Sequence, residues 1–339
     1  MIKYSLKIAS IIKETEDAIT ICFKQPALKK IKYVPGQYIT VIVTINNRKY
    51  QRPYSISSTP GVDSTLNITV KRVLHGIVSN HIIDMFKDGD IIEVIEPMGD
   101  FAYTHDGNNE IYLWGAGSGI TPLISILKFI LSATNNKITL SYSNPSKQKT
   151  IFYSQLIQLK ELYQDRFSLN FFCTREVDKN TLSGRITHQH VTHFVSTSTD
   201  ISKTLHYICG PTGLKQTVKT TLADLGLPLT SMFSEDFEHI VNEAELKDIQ
   251  TQAVQIIKNE EQFEVEVVKG KSILESALDM QIDLSYSCQT GACTLCKAQL
   301  LSGSVKIIGA DICGKELGDN EYLLCCSYPL TDNVKFAID

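Results

Sequence analysis

Short runs in which apolar and polar residues alternate mark the first hundred positions: Ala18 to Phe23, Tyr38 to Val43, Leu66 to Val70 and Ile91 to Ile95. Turn signals separate them, at Pro35-Gly36, Asn46-Asn47, Pro60-Gly61 and Asp88-Gly89. Alternation sends successive side chains to opposite faces, so each run predicts a strand, and even spacing of short strands points to a small antiparallel barrel. One helical stretch interrupts them, with Val78, Ile82, Ile83 and Phe86 on one side. The period changes near Glu110. Apolar strands at 111–114, 137–142, 168–173 and 205–209, with Met232-Phe233-Ser234 closing the series, alternate with helices from Pro122, over 152–163 and over 212–225. Such alternation predicts a parallel sheet with helices on both faces, which binds ligands beyond the carboxyl ends of its strands.

The segment from Glu238 to Asn259 is rich in charge and glutamine without a strong period and reads as a linker. Overlapping and following it, 251–257 and 263–268 have the look of a hairpin, and 272–278 that of a short helix capped by Ser272 with Glu275 three residues on. The longest apolar stretch, Ile111 to Leu131, contains three glycines, Pro122 and Lys128, so a strand, a tight turn and a buried helix account for it better than a membrane span. The amino terminus has no signal-peptide core, and the expected compartment is the cytoplasm.

At 339 residues the chain has room for two or three domains, and 43% hydrophobic with 21% charged residues is a globular composition. A net charge of −4 argues against a general nucleic-acid binder. Charge and cysteine are unevenly spread. From Glu260 onward there are 6 lysines, no arginines and 13 acidic residues, a net of −7, which leaves +3 on the preceding residues. Six of the nine cysteines, Cys288, Cys293, Cys296, Cys313, Cys325 and Cys326, fall in the same tail. Clustered thiols in a reducing compartment suggest a metal.

Cys288-x4-Cys293-x2-Cys296 with a distant fourth cysteine is the spacing of plant-type [2Fe–2S] ligation. Gly291 and Ala292 are small enough to let backbone N–H groups approach the sulfides, and Ser287 and Thr294 offer hydroxyls. A structural zinc site is the alternative, but its second pair would be the adjacent Cys325-Cys326, poor geometry for two ligands. Trp114 to Pro122 forms a glycine-rich turn between a strand and a helix. It either lets the backbone approach a pyrophosphate at the helix N-terminus or merely permits a sharp reversal. Arg52-Pro53-Tyr54-Ser55 sets a guanidinium beside a flat aromatic, suited to an anionic planar ligand, although the same residues suit an ordinary strand edge. His75, His188, His190 and His193 lack metal-binding spacing, and Cys22, Cys173 and Cys313 read as small core residues.

Taken together these motifs resemble the ferredoxin–NADP reductase superfamily with a C-terminal plant-type ferredoxin domain. The order flavin, nicotinamide, iron–sulfur is similar to oxygenase reductases, the reductase components of phenylacetyl-CoA monooxygenases among them. The resemblance implies a multidomain chain: an FAD-binding antiparallel β-barrel over 1–105, an NAD(P)-binding α/β domain over 106–237, a linker over 238–259 and a β-grasp [2Fe–2S] domain over 260–339. Arg52, Pro53, Tyr54 and Ser55 match the R-x-Y-S flavin motif, in which the tyrosine stacks on the isoalloxazine and the arginine binds pyrophosphate. Thr69, Val70 and Lys71, followed by Gly76, Ile77, Val78 and Ser79, match further flavin segments.

Gly115, Gly117, Ser118, Gly119 and Thr121 match the nicotinamide loop, and Cys209, Gly210 and Pro211 the C-G-P motif whose cysteine lies near the nicotinamide. Ser141 to Asn144 stands where relatives read Y-G-N. Thr174 and Arg175 resemble the pair that holds the 2′-phosphate of NADPH, so NADPH is favoured over NADH, while an arginine there could equally pair with a surface carboxylate. The expected activity is an NAD(P)H-dependent electron-transfer reductase, with Ser55 and Cys209 at the reacting rings and Glu235 handling a proton or positioning. FMN is the alternative flavin. A terminal oxygenase is the expected acceptor; reduction of a hybrid-cluster or other small redox protein, or redox sensing, are the alternatives. In relatives the fourth ligand lies four residues before a proline, which selects Cys325 ahead of Pro329. An extended segment would point Cys325 and Cys326 to opposite sides.

Overall fold

The computed structural model describes residues 1–26, 30–105, 107, 109–176, 181–239, 241–309 and 317–338. The sequence expectation for Cys313 lies outside the described residues. The chain forms two compact units, one of Met1–Ile45 with Pro53–Asp236, the other of Asn46–Arg52 with Phe237–Asp339.

Strands β1 (Lys3–Thr15), β2 (Ala18–Phe23), β3 (Tyr38–Ile45), β4 (Arg48–Ser55), β5 (Leu66–Lys71) and β6 (Ile91–Met98) form a six-stranded sheet ordered β4-β3-β6-β1-β2-β5. β1 pairs antiparallel with β2 and β6, β2 with β5, and β3 with β6. A bridge between Ile56 and Ile68 ties the end of β4 to β5 and closes the sheet into the expected barrel. Helix α1 (Ile77–Met85) lies between β5 and β6 in sequence and buries Val78 and Ile82.

The parallel sheet follows. Strands β7 (Glu110–Ala116), β8 (Lys137–Asn144), β9 (Phe167–Cys173), β10 (Leu182–Ser183), β11 (Thr204–Cys209) and β12 (Met232–Glu235) are ordered β10-β9-β8-β7-β11-β12, every pair parallel. Helices α2 (Ile120–Ala133), α3 (Tyr153–Leu162), α4 (His188–Val195) and α5 (Thr212–Asp224) make the connections. The apolar stretch at 111–131 is therefore strand, turn and the buried helix α2, and no helix among the described residues is long and apolar enough to cross a membrane.

Barrel and sheet share one hydrophobic core, in which Ala18, Phe101 and Tyr103 pack with Leu113, Ile126 and Tyr207. Polar contacts reinforce it: Ser125 Oγ donates to the Ser58 carbonyl at 2.6 Å, Thr59 Oγ1 donates to the Ser125 carbonyl at 2.9 Å, and buried Lys128 pairs with Asp63 at 2.6 Å. Two of the histidines set aside as ligands have local structural duties. His190 completes a capping box with Thr187 at the start of α4, and His188 hydrogen-bonds Thr221.

The second unit holds β13 (Gln252–Lys258), β14 (Glu261–Val267), α6 (Ile273–Asp279), β15 (Lys297–Ser302), β16 (Val305–Ile307), β17 (Glu321–Leu323), β18 (Ser327–Pro329) and β19 (Lys335–Ile338). Its mixed sheet is ordered β14-β13-β19-β15-β17, and α6 packs Ile273, Leu274 and Ala277 onto Val254, Ile256 and Phe336, a β-grasp arrangement. The predicted cap is present: Ser272 Oγ accepts from the Glu275 N–H at 3.2 Å while Glu275 Oε2 accepts from the Ser272 N–H at 2.8 Å.

The linker drawn over 238–259 is corrected at its carboxyl end. Residues 252–258 are β13, whose Val254 and Ile256 are fully buried while Ala253 and Gln255 on the opposite face are exposed. Upstream of that strand, Val241, Leu246 and Ile249 pack with Ile308 and Tyr328, so this segment too belongs to the second unit's core.

One close approach in the first unit positions its sheet edge. A Cβ placed on Gly119 would lie 2.1 Å from the Cys209 carbonyl oxygen and 2.8 Å from the Gly210 nitrogen, so the turn after β7 sits directly on the backbone after β11. Only glycine fits there. Replacing Gly119 with alanine should cost about 3 kcal/mol by forced overpacking, whereas Gly213→Ala, at a helical position with open space around it, should be neutral or stabilising by up to ~1 kcal/mol. Urea unfolding of the two variants checks this, and equal stabilities would show that the backbones at 119 and 209 can part cheaply.

Candidate functional site

Parallel pairing brings the chemistry of the first unit to one edge. Cys209 is in register with Gly115 on β7 and with Glu235 on β12, all at the carboxyl ends of adjacent strands. Ser55 ends β4, is buried, and donates from Oγ to Glu235 Oε2 at 3.4 Å, a long contact. The three candidate catalytic residues, Ser55, Cys209 and Glu235, are thus brought together.

Burial pushes the Cys209 thiol well above its usual range, with the charges of Glu235 and Asp236 adding to the effect and Lys215 opposing it. That shift favours the neutral thiol over the thiolate at this edge. Asp236 is held by an ion pair with Lys215.

The glycine loop is a 3₁₀ turn, Gly117–Gly119, leading straight into α2. Gly117 has φ +55° and open space on its Cβ side, where the nearest atom is Lys71 Nζ at 3.8 Å. A lysine of the barrel therefore reaches the nicotinamide loop. Thr121 is buried and spends its hydroxyl on the Ser118 carbonyl at 3.0 Å, which leaves half-buried Ser118 as the loop's candidate side-chain donor.

Sequence reasoning missed Tyr142. Its ring is fully buried, and its hydroxyl donates to the Gly117 carbonyl at 2.8 Å, fixing the loop from β8. Burial pushes its phenol far above the usual range, so it stays a donor. The departure from Y-G-N at 141–144 drew notice in the sequence, but the phenol's partner lies 25 positions away.

The flavin-side residues divide into two kinds. Thr69 and Val70 are buried, and the Thr69 hydroxyl is shared with Thr20 at 2.8 Å and Ser57 at 2.9 Å, so these two residues offer a ligand only their backbone. Arg52, Pro53, Tyr54 and Lys71 are half-buried, and Arg52 Nη1 donates to the Gln51 carbonyl at 2.8 Å. At the start of α1, Gly76 precedes exposed Ile77 and buried Val78, and Ser79 Oγ accepts from the Val73 N–H at 3.2 Å while keeping its own proton to donate. Within the first unit, an ammonium, a hydroxyl donor and an aromatic face are chemistry suited to a flavin with a pyrophosphate.

Gly210 and Pro211 lie between β11 and α5. Thr174 and Arg175 are exposed just beyond β9, tied by their N–H groups to the carbonyls of Asn144 and Pro145.

In the second unit the loop from 281 to 296 has no regular structure. Cys288 Sγ accepts from the N–H groups of Cys293 at 3.2 Å and Thr290 at 3.4 Å. The Cys293 thiol, with help from these backbone donors and against burial, holds Cys288 below the usual thiol range, while the Cys288 sulfur and then burial push Cys293 above it. Cys296 is pushed up first by the Cys325 thiol and then by burial. Cys288 thus interacts chiefly with Cys293, and Cys296 chiefly with Cys325; these four thiols would hold the [2Fe–2S] cluster.

The two adjacent cysteines do not point apart as an extended segment would make them. Leu324–Cys326 is a 3₁₀ turn, and its thiols lie 3.6 Å apart, with Cys325 on the side of Cys296 and Cys288. The 3₁₀ winding replaces the two-residue period on which that expectation rested. Tyr286, two residues before Cys288, accepts from the Gln51 N–H at 3.1 Å inside this unit.

Comparison with known proteins agrees with this geometry. An oxidoreductase FAD-binding domain matches residues 5–103, an oxidoreductase NAD-binding domain residues 113–220, and a 2Fe-2S iron-sulfur cluster binding domain residues 256–330. The last spans all four candidate ligands and settles the choice between iron–sulfur and zinc. A component of the 1,2-phenylacetyl-CoA epoxidase of Escherichia coli is 30% identical over 99% of this chain and 98% of its own. The ferredoxin reductase component of the 3-ketosteroid-9-alpha-monooxygenase of Rhodococcus rhodochrous is 29% identical over 97% of this chain and 95% of its own. Among solved structures, phthalate dioxygenase reductase shares the fold with a TM-score of 0.71, covering 99% of this chain and 98% of its own at 21% identity. The chain belongs to the ferredoxin–NADP reductase superfamily, among the oxygenase reductase components that join FAD-binding, NAD-binding and [2Fe–2S] domains in one polypeptide.

Proposed function

We propose that this reductase takes electrons from NADPH and delivers them one at a time to a terminal oxygenase, with Cys288, Cys293, Cys296 and Cys325 as its iron ligands. The observation that carries the reading is the meeting of Ser55, from the flavin strand, with Glu235, at the carboxyl edge of the nicotinamide sheet and level with Cys209. FAD, when bound, would supply a hydride acceptor for the nicotinamide and a one-electron donor for the [2Fe–2S] centre. Arg52 and Lys71 supply positive charge for phosphate, Tyr54 offers its ring face, and Ser55 orients its hydroxyl against Glu235. Cys209 fills the space beside the nicotinamide without adding charge. The kinship with the phenylacetyl-CoA epoxidase component supports an oxygenase as acceptor, one that acts on a CoA thioester among the candidates. Domain boundaries near 105 and 237, with the linker shortened to end before Gln252, fit this division of labour.

Arg175 decides the coenzyme in this reading. A charge-assisted contact to the 2′-phosphate exists with one coenzyme only, so Arg175→Ala should lower kcat/KM for NADPH about 10- to 100-fold and leave NADH nearly unchanged. Equal losses would remove Arg175 from the site. The ligand assignment has its own test. Cys325→Ser should lose or sharply weaken the [2Fe–2S] visible and EPR spectra while FAD stays bound, and a variant with its spectra intact would exclude Cys325.

The −7 tail carries the docking argument. Glu264 and Glu266 are exposed on β14, and an acidic face of this kind steers toward a basic patch on the acceptor. Electron transfer to the natural acceptor should slow as ionic strength rises past ~0.1 M, where the screening length is about 10 Å. A rate independent of salt would mean that these carboxylates are merely solvated.

A further inference from the structure

Cys326 has no place in the function described so far, yet it is a fully buried thiol 3.6 Å from the Sγ of Cys325. That separation suits an S–H···S hydrogen bond, and while both groups are protonated either can donate. Ligation removes the ambiguity. A cysteine bound to iron is a thiolate without a proton, so the only donor left in the pair is Cys326.

We infer that Cys326 is a positioning residue that donates its S–H to the iron-bound sulfur of Cys325 and thereby raises the reduction potential of the [2Fe–2S] centre. The inference rests on the reading of Cys325 as a ligand. Its physical basis is differential stabilisation: reduction adds negative charge that the sulfur ligands share, and a donor aimed at one of them favours the reduced state more than the oxidised one. Cys326 is 0% exposed, so water does not substitute for the thiol, and a donor in a dry environment acts more strongly than at the surface.

The turn does not need this side chain to keep its shape. The Leu324 N–H donates to the Cys296 carbonyl at 3.0 Å, the Ile308 N–H to the Cys326 carbonyl at 2.9 Å, and Ser327 Oγ to the Leu323 carbonyl at 2.8 Å. The turn is thus anchored on both sides by groups that survive replacement of the thiol.

Redox titration of the holoprotein followed by EPR tests the idea, with Cys326→Ala and Cys326→Ser beside the parent. Cys326→Ala should keep the FAD and [2Fe–2S] spectra and shift the cluster's midpoint potential to a more negative value. Cys326→Ser, whose hydroxyl restores a donor, should recover at least part of the shift. An exchangeable deuteron coupled to the reduced cluster by pulsed EPR in D2O should disappear in Cys326→Ala. An unchanged potential in Cys326→Ala overturns the inference. So do equal shifts in the two variants, because side-chain volume and not donation would then be the cause. Loss of the cluster in Cys326→Ala with retention in Cys325→Ser overturns the ligand assignment as well, whereas loss in Cys325→Ser alone leaves that assignment standing.

Discussion

The first unit depends on strand register. Gly115, Cys209 and Glu235 stand level on three adjacent parallel strands, and the side-chain period of a strand is two. A slip of one residue in β11 or β12 would turn Cys209 or Glu235 to the other face and separate Glu235 from Ser55. The register is held from both sides. Phe172, Trp114, Ile208 and Met232 pack beneath α4 and α5, while Leu113, Leu140 and Tyr207 pack beneath α2. The close approach of the 117–119 turn to the Cys209 carbonyl then locks the two strand ends together without a side chain between them.

Positioning by backbone explains how the motif residues share their work. In the flavin segments, Thr69 and Val70 are both buried, on opposite faces of β5, so their side chains maintain the fold, and Lys71 is left to present a charged group. In the nicotinamide loop, Thr121 is likewise spent on the Ser118 carbonyl and Tyr142 on the Gly117 carbonyl. A sequence motif at such a site mixes residues that meet a ligand with residues that hold the former in place, and their spacing does not separate the two kinds.

Much of this architecture was legible because periodicity and turn chemistry are local. The alternating barrel runs, the strand–helix alternation beyond Glu110 and the Ser272–Glu275 cap all depend on residues within a few positions of one another. What escaped depends on distant partners or on weak patterns. β1 buries little beyond Leu6, Ile8 and Thr15, so its period is faint, and β4 carries Arg48, Lys49, Gln51, Arg52 and Pro53 and reads as polar chain. β13 was legible over 251–257, but Gln252, Gln255 and Lys258 interrupt its apolar residues, so a linker could be drawn across it. The four candidate iron ligands could be proposed from spacing and resemblance, whereas the side on which Cys326 stands could not, since a 3₁₀ turn of three residues leaves no periodic trace.

The iron–sulfur unit answers an electrostatic difficulty that the first unit does not have. Of the four candidate cysteines, Cys288, Cys296 and Cys325 are buried and Cys293 is half-buried, and in such surroundings like charges raise one another's proton affinity and burial raises it further. The opposing contributions come from the fold. Backbone N–H groups of Thr290 and Cys293 converge on Cys288, and reaching that arrangement takes left-handed backbone at Gln289, Gly291 and Thr294. That conformation is tolerable only because the loop's two ends are tied down. Tyr286 is buried before it, and after it Cys296 is followed by β15, with the Cys296 carbonyl accepting from Leu324 in the turn that carries Cys325. Strain in the loop and donors on Cys288 are therefore parts of one solution: the chain supplies polarity from its backbone where buried counter-charges would be costly.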